Sequence, residues 1–505
     1  MFKLSRLFII YALAVPLALY LGYLVVSPDR FTFGFIALLL FIFALPLFLK
    51  WHHVLLIVFW NSVFNAAFLP GTPDFWLLLA VISFCISFLN HIMFRKTFLK
   101  APELTVPLLF FTVVVLVTAE IRGGIGIRAL GGSSYGGRYY ILVLGAVAGY
   151  FAFTSEAIPL AKGQRMGEIF LGSGATFALS NILYTLGPAF YIFYIIVPAG
   201  AAMSQAASDM GMTDIARLTG VAPACVAGLC FLLARFGIRG IFDFNRPWRF
   251  LFLCLTIVVA FFAGFRSIMV ILFLIFAVQF YLEGLLRTHY FPIVAGLAIC
   301  GLTPILLFSN SMPAAVQRAI SFLPVNVDSE ILADAKGSTE WRVGMWTAVS
   351  REIPQYLIIG KGFSINPDEL FSVVEAGRMG LQTADYEGSM LAGDYHSGPL
   401  SVLIPFGIFG MIGFLWILYG GYRVLSMNLR YGDPRLRRIN TVLLAFYISY
   451  CISFIFIFGA LQSQLPTFLG ACGMSVSLNG GVKRRIPMKR APAAAAPRSL
   501  VMEAG

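Results

Sequence analysis

Apolar runs of about 18 or more residues recur along almost all of this 505-residue chain, which is the length a helix needs to cross a ~30 Å hydrocarbon core. The chain is 59% hydrophobic and 12% charged, where a soluble chain carries roughly 25% charged residues. Its mean hydropathy is +0.86. The 49 phenylalanines and 48 glycines fit the same picture, because aromatic rings anchor at membrane interfaces and glycine lets helices approach closely. The predicted fold class is an all-α polytopic membrane protein.

Apolar runs read against turn signals give about fourteen transmembrane helices. They fall near 7–26, 31–49, 54–69, 75–94, 104–119, 139–158, 169–196, 219–236, 250–264, 267–285, 291–308, 399–419, 441–459 and 464–480. Lys3 and Arg6 precede the first run, whose apolar length exceeds that of a cleaved signal core, so it reads as an uncleaved span. With the N-terminus cytoplasmic, the loops bearing Lys50, Arg95, Lys162, Arg235, Arg239, Arg287 and the basic run from Arg423 to Arg438 all fall inside. Roughly two thirds of the Lys and Arg then lie on the cytoplasmic side, as the positive-inside rule requires. The net charge of +13 is therefore spread along loops beside spans and implies membrane lipids, not nucleic acid, as its partner.

One pair of runs sets the parity. Residues 250–285 are nearly continuous apolar sequence, broken only at Gly264-Phe265-Arg266-Ser267. A single helix of that length would reach ~50 Å at 1.5 Å per residue, too long for the bilayer. The segment therefore reads as two helices with a tight turn at Arg266. Two periplasmic segments follow from this topology, residues 120–138 and a long loop between residues 309 and 398 that carries short helices. The membrane domain spans 1–482, and residues 483–505 form a basic, Ala/Pro-rich cytoplasmic tail expected to be disordered. All seven cysteines lie in apolar runs, so neither a disulfide framework nor a metal site is expected.

Few polar side chains face the periplasm in this topology. His396 is the only imidazole there, in Asp394-Tyr395-His396-Ser397-Gly398-Pro399 immediately before a span. Imidazole is the side chain suited to proton transfer near neutrality, although a histidine here also reads as a helix cap. Arg266 at the hairpin tip is either an interfacial anchor or a guanidinium suited to bidentate phosphate pairing. Glu340–Val349 reads as an amphipathic helix with Arg342 and Trp346 on one face. It leads to Pro354 and the glycine turn Gly360-Lys361-Gly362. The first periplasmic loop offers Arg122, Arg128 and Arg138 around the run Gly131–Gly137, a composition that can form a backbone nest for an anion.

Together these positions resemble the O-antigen ligase and polysaccharide-polymerase superfamily. The turn Phe265-Arg266-Ser267 is similar to the family's Ser-Arg-Gly turn. A long loop with Arg342, Trp346, Pro354 and Gly360-Lys361-Gly362 follows. It ends in His396-Ser397 before a span containing Pro405, Phe406, Gly407 and Gly410. The resemblance covers about residues 250–420.

It implies a glycan transferase that moves a glycan from undecaprenyl diphosphate to a lipid or glycan acceptor hydroxyl, without metal or other cofactor. It further implies a site at the periplasmic face of a bacterial inner membrane. His396, Arg342 and Arg266 would carry the chemistry, with Arg122, Arg128, Arg138 and Trp346 contacting substrate. A repeat-unit polymerase is the alternative within the family, and a polysaccharide or lipid transporter the alternative outside it. Coupled transporters bury ionisable groups near mid-membrane, whereas here nearly every charge falls at a span end, with Glu156 the nearest exception.

Overall fold

The computed structural model describes residues 30–69, 71–124, 136–210, 217–379 and 384–484, with the isolated positions 15, 18 and 22. The first apolar run, Arg128 and the tail from residue 485 lie outside the described residues. Eighteen α-helices, joined in places by short 3-10 turns, make up the described chain. In order they are α1 (Arg30–Phe59), α2 (Phe75–Phe94), α3 (Pro102–Arg122), α4 (Gly137–Phe153), α5 (Leu160–Gly172), α6 (Leu179–Leu186), α7 (Gly200–Asp209), α8 (Val221–Ile241) and α9 (Trp248–Phe262). There follow α10 (Arg266–Leu282), α11 (Tyr290–Leu307), α12 (Ala314–Ile320), α13 (Ser329–Tyr356), α14 (Pro367–Arg378), α15 (Ala384–Leu391), α16 (Gly398–Tyr431), α17 (Arg437–Phe456) and α18 (Leu461–Asn479).

Among the described residues eight stretches are long and apolar enough to cross a membrane, and α4, α9 and α10 are shorter apolar helices. The protein is a polytopic, all-helical membrane protein. Large apolar side chains such as Leu251 and Phe273 lie on the outer surface, 69% and 67% exposed. In water that arrangement would be costly; in lipid it is the expected outer face.

The core is built where α16 lies along α3 and α17, α18 along α4, and α4 along α2. Trp60 is clamped between Gly149 of α4 and Gly470 of α18, at both of which a Cβ would overlap the indole. Its Nε1–H donates to the Pro466 carbonyl at 3.1 Å. At one end of the bundle Asn428, Asn440 and Asn479 interlock α16, α17 and α18, with Asn440 and Asn479 exchanging amide bonds at 3.2 and 3.0 Å. Buried amides satisfied in this way fix helix register as well as adding stability.

The helix pattern departs from the sequence expectation in two places. The predicted boundary near Lys50 is absent, and α1 runs unbroken through Lys50, His52 and His53. Those imidazoles are satisfied inside the bundle. His52 Nδ1 lies 2.8 Å from Ser83 Oγ, and His53 Nε2 lies 3.1 Å from the Phe153 carbonyl. The segment expected as one span over 169–196 is instead broken, with a 3-10 turn over Ser173–Ala178 and another over Pro188–Ile195. The hairpin at Arg266 forms as the length argument requires, with Gly264 at φ +75° between α9 and α10.

Candidate functional site

The segment from 309 to 398 folds across one end of the bundle and is held there by a strap. Pro405 and Gly407 break α16, with Gly407 at φ +63°. The turn at Gly407 swings the N–H groups that follow it away from the Ile404 and Pro405 carbonyls, which lose their usual i+4 donors. The strap supplies the missing partners. Lys361 N–H donates to Ile404 O at 2.8 Å, Gly362 N–H to Pro405 O at 2.9 Å, and Ile408 N–H donates back to Leu357 O at 2.7 Å. A Cβ at Gly360 would overlap the Pro405 carbonyl. This close backbone approach is the physical use of the Gly360-Lys361-Gly362 turn. Arg122 clamps the strap from the end of α3, donating from Nε to Gly360 O at 2.9 Å and from Nη2 to Ile359 O at 3.2 Å.

Above the Arg266 hairpin four arginines converge. Arg318 of α12 is 4% exposed; its Nη1 donates to the Gly264 carbonyl at 3.0 Å and its Nε to Asp334 Oδ2 at 2.5 Å. Arg217, just before α8, reaches Asp334 Oδ1 at 3.5 Å. Arg266 opens α10 and donates from Nη2 to the Ala335 carbonyl of α13 at 3.1 Å. It lies within electrostatic reach of both Arg318 and Arg342.

Burial, and then repulsion from Arg318, lowers the pKa of Arg342. For Arg217 burial and Arg318 again lower it, with Asp334 opposing. Guanidinium groups stay charged at any physiological pH, so these shifts express the cost of burying the charges first and their mutual repulsion second. Arg217, Arg266 and Arg318 share the one carboxylate of Asp334, Arg342 lies within reach of Arg318 and Arg266, and Arg266 stands at a helix N-terminus, where the dipole is also positive. The arrangement calls for a multivalent anion.

His396 sits beside this cluster along α13. Its ring packs edge-on against Trp341, the neighbour of Arg342, at 5.1 Å between centroids, and against Phe458 at 5.2 Å. Nδ1 lies 3.3 Å from Asp394 Oδ1, and the His396 backbone N–H donates to the same carboxylate at 3.2 Å. The residue adopts φ +48°, unusual for a side chain larger than glycine. Trp346 holds this conformation from outside, its indole N–H donating to the Tyr395 carbonyl at 2.9 Å.

The structure therefore brings Arg266 and Arg342 within electrostatic reach of one another, while His396 packs against Trp341, whose side chain leaves α13 about 100° away from that of Arg342. Arg122 and Trp346 are engaged in holding backbone. Arg138 lies near Asp74 and Tyr139, and Tyr139 is within reach of Asp394. Arg217, Arg318 and Asp334 were not singled out from the sequence. A basic residue on the short helix opening after Pro313 was the one local signal for Arg318. Among the described residues no group of three or more His, Cys, Asp or Glu side chains gathers in metal-binding geometry. Compared with protein-family models and with curated proteins, the chain matches none.

Proposed function

We propose that this protein is a glycan transferase of the kind its sequence resembles. It would move a glycan from undecaprenyl diphosphate to an acceptor hydroxyl at the periplasmic face of a bacterial inner membrane. The observation that carries this reading is the gathering of Arg217, Arg266, Arg318 and Arg342 within electrostatic reach of one another at one end of a membrane bundle, with Asp334 the carboxylate that faces the first three. A diphosphate leaving group gathers negative charge as the glycosidic C–O bond breaks, and fixed guanidinium groups stabilise that charge without reorganising.

His396 supplies the second half of the reaction. Asp394 faces Nδ1, which leaves Nε2 to accept the proton of the acceptor hydroxyl. The hydroxyl oxygen bonds to the anomeric carbon, the bond from that carbon to the diphosphate breaks, and undecaprenyl diphosphate departs carrying the electron pair. An orienting carboxylate on one imidazole nitrogen is the general arrangement by which a histidine base is held in one tautomer. The orientation in this reading sets the Arg266 cluster on the periplasmic side and the Arg235–Arg249 end on the cytoplasmic side, as the positive-inside bias of the loops supports.

Reconstituted transfer from an undecaprenyl-diphosphate glycan tests the reading. Arg266→Gln, Arg342→Gln and His396→Ala should each lower transfer by about a hundredfold or more. Near-normal transfer by all three would end the assignment. A product of joined repeat units would indicate a polymerase, and a glycan on a lipid acceptor a ligase.

A further inference from the structure

A second basic site lies at the opposite end of the bundle, where α8 ends, α9 begins and α17 begins. Here a cavity of about 810 Å³ is lined by Arg235, Arg239, Arg249 and Arg438, with Asp243 the one carboxylate among its lining residues. Arg235 is neutralised by Glu168 at 2.7 Å, and Arg438 donates to the Arg235 carbonyl. Glu283, close by, has one carboxylate oxygen occupied by the N–H groups of Ile238 and Gln279. Asp243 accepts the backbone N–H of Asn245. Four guanidinium groups thus face three carboxylates, Glu168, Asp243 and Glu283, and the cavity keeps a net positive charge, with Arg239 and Arg249 in no ion pair among the described residues.

Arg249 is the decisive group. It is 8% exposed, its guanidinium lies 4.3 Å from the centre of the Phe236 ring, and its Nη1 donates to the Gly240 carbonyl at 2.9 Å. Its buried Nε makes no hydrogen bond. With Nη1 on the Gly240 carbonyl and Nε enclosed, Nη2 is the donor left for a ligand oxygen, which would complete the partners of a mostly buried cation. Arg239 is exposed and has no hydrogen-bond or ion-pair partner among the described residues. Phe244 in the lining stands 59% exposed, and Trp248 beside Arg249 and Leu251 one turn on along α9 are 54% and 69% exposed. These apolar side chains place the cavity mouth where acyl chains meet headgroups.

We infer that this cavity binds the phosphate headgroup of an anionic phospholipid, with Arg239 and Arg249 on the phosphate and the acyl chains against the apolar rim. Basic pockets between membrane helices recognise acidic headgroups by this combination of charge and tethering. The site is distant from the Arg266 cluster and does not depend on the function proposed for it.

The test is thermal unfolding of the full chain in nanodiscs of phosphatidylcholine with or without phosphatidylglycerol. Phosphatidylglycerol should raise the unfolding midpoint of the wild type. Arg239→Gln, an exposed position that leaves packing intact, should weaken the apparent affinity for phosphatidylglycerol about tenfold. Arg249→Met should do the same or more. The control Arg435→Gln, on the same end but outside the cavity and closed on Asp433, should keep the wild-type response. A lipid response equal in wild type and Arg239→Gln would overturn the proposal. Equal stabilisation by inorganic phosphate in phosphatidylcholine discs would overturn the lipid assignment in favour of a soluble phosphate.

Discussion

Replacing Asp334 with Asn tests how the arginine cluster is balanced. Asn keeps an oxygen acceptor in nearly the same place, so the bond from Arg318 survives in form while its charge assistance is lost. Hydrogen bonds to charged groups contribute about 1.5–3 kcal/mol and neutral ones about 0.5–1.5, so the Arg318 contact should lose about 1 kcal/mol. The Arg217 contact is longer, at 3.5 Å, with both side chains about a third exposed, and contributes about 0–1 kcal/mol. Arg318 retains the Gly264 carbonyl, which limits the damage. The expected loss is about 1–2 kcal/mol, read as a fall of about 1–2 °C in the unfolding midpoint of the purified protein in detergent. Inorganic pyrophosphate should then stabilise Asp334→Asn more than it stabilises the wild type, because the variant cluster has lost its internal counter-charge. An unchanged midpoint, or equal stabilisation of both proteins by pyrophosphate, would refute the claim that these four guanidinium groups form one anion site.

Three further outcomes follow from the same geometry. His396→Gly should relieve the φ +48° backbone and so leave the unfolding midpoint within about 1 kcal/mol of wild type, while transfer falls about 10²–10⁴-fold; a glycine variant that transfers normally would make the imidazole structural. Gly360→Ala should separate the strap from the broken part of α16, because its methyl group would overlap the Pro405 carbonyl; faster proteolysis of the 309–398 segment is the readout, and unchanged resistance would contradict the strap. Burial raises the pKa of Asp74 above the usual carboxylate value despite Arg138 and a bond from Trp76. Its ionisation therefore opposes folding above that raised pKa, and the penalty disappears as pH falls below the unfolded value. Asp74→Asn should be more stable than wild type at neutral pH and indistinguishable from it in acid, and unfolding midpoints measured across that range decide the matter.

The hairpin at Arg266 was legible because length alone forbids a single helix over 250–285. Arg342 and Trp346 were legible as one face of a helix, although that helix extends over Ser329–Tyr356, well beyond the stretch marked by its amphipathic pattern. Arg217 carries no local signal and Arg318 only its place on a short helix, since what makes them functional candidates is Asp334, which is 117 and 16 residues away from them along the chain. The missing break at Lys50 has a similar cause. Polar residues mark a turn only if nothing inside the bundle satisfies them, and His52 and His53 find Ser83 and the Phe153 carbonyl. Gly360 was read as a turn, whereas its role is to let one backbone lie against another.

Direct binding of undecaprenyl diphosphate to the purified protein tests the central claim most closely, because it needs neither acceptor nor turnover. Wild type should bind it saturably, with competition by inorganic pyrophosphate, and Arg266→Gln and Arg342→Gln should each bind at least about tenfold more weakly. Equal binding by wild type and both variants would contradict the assignment of this cluster as the diphosphate site.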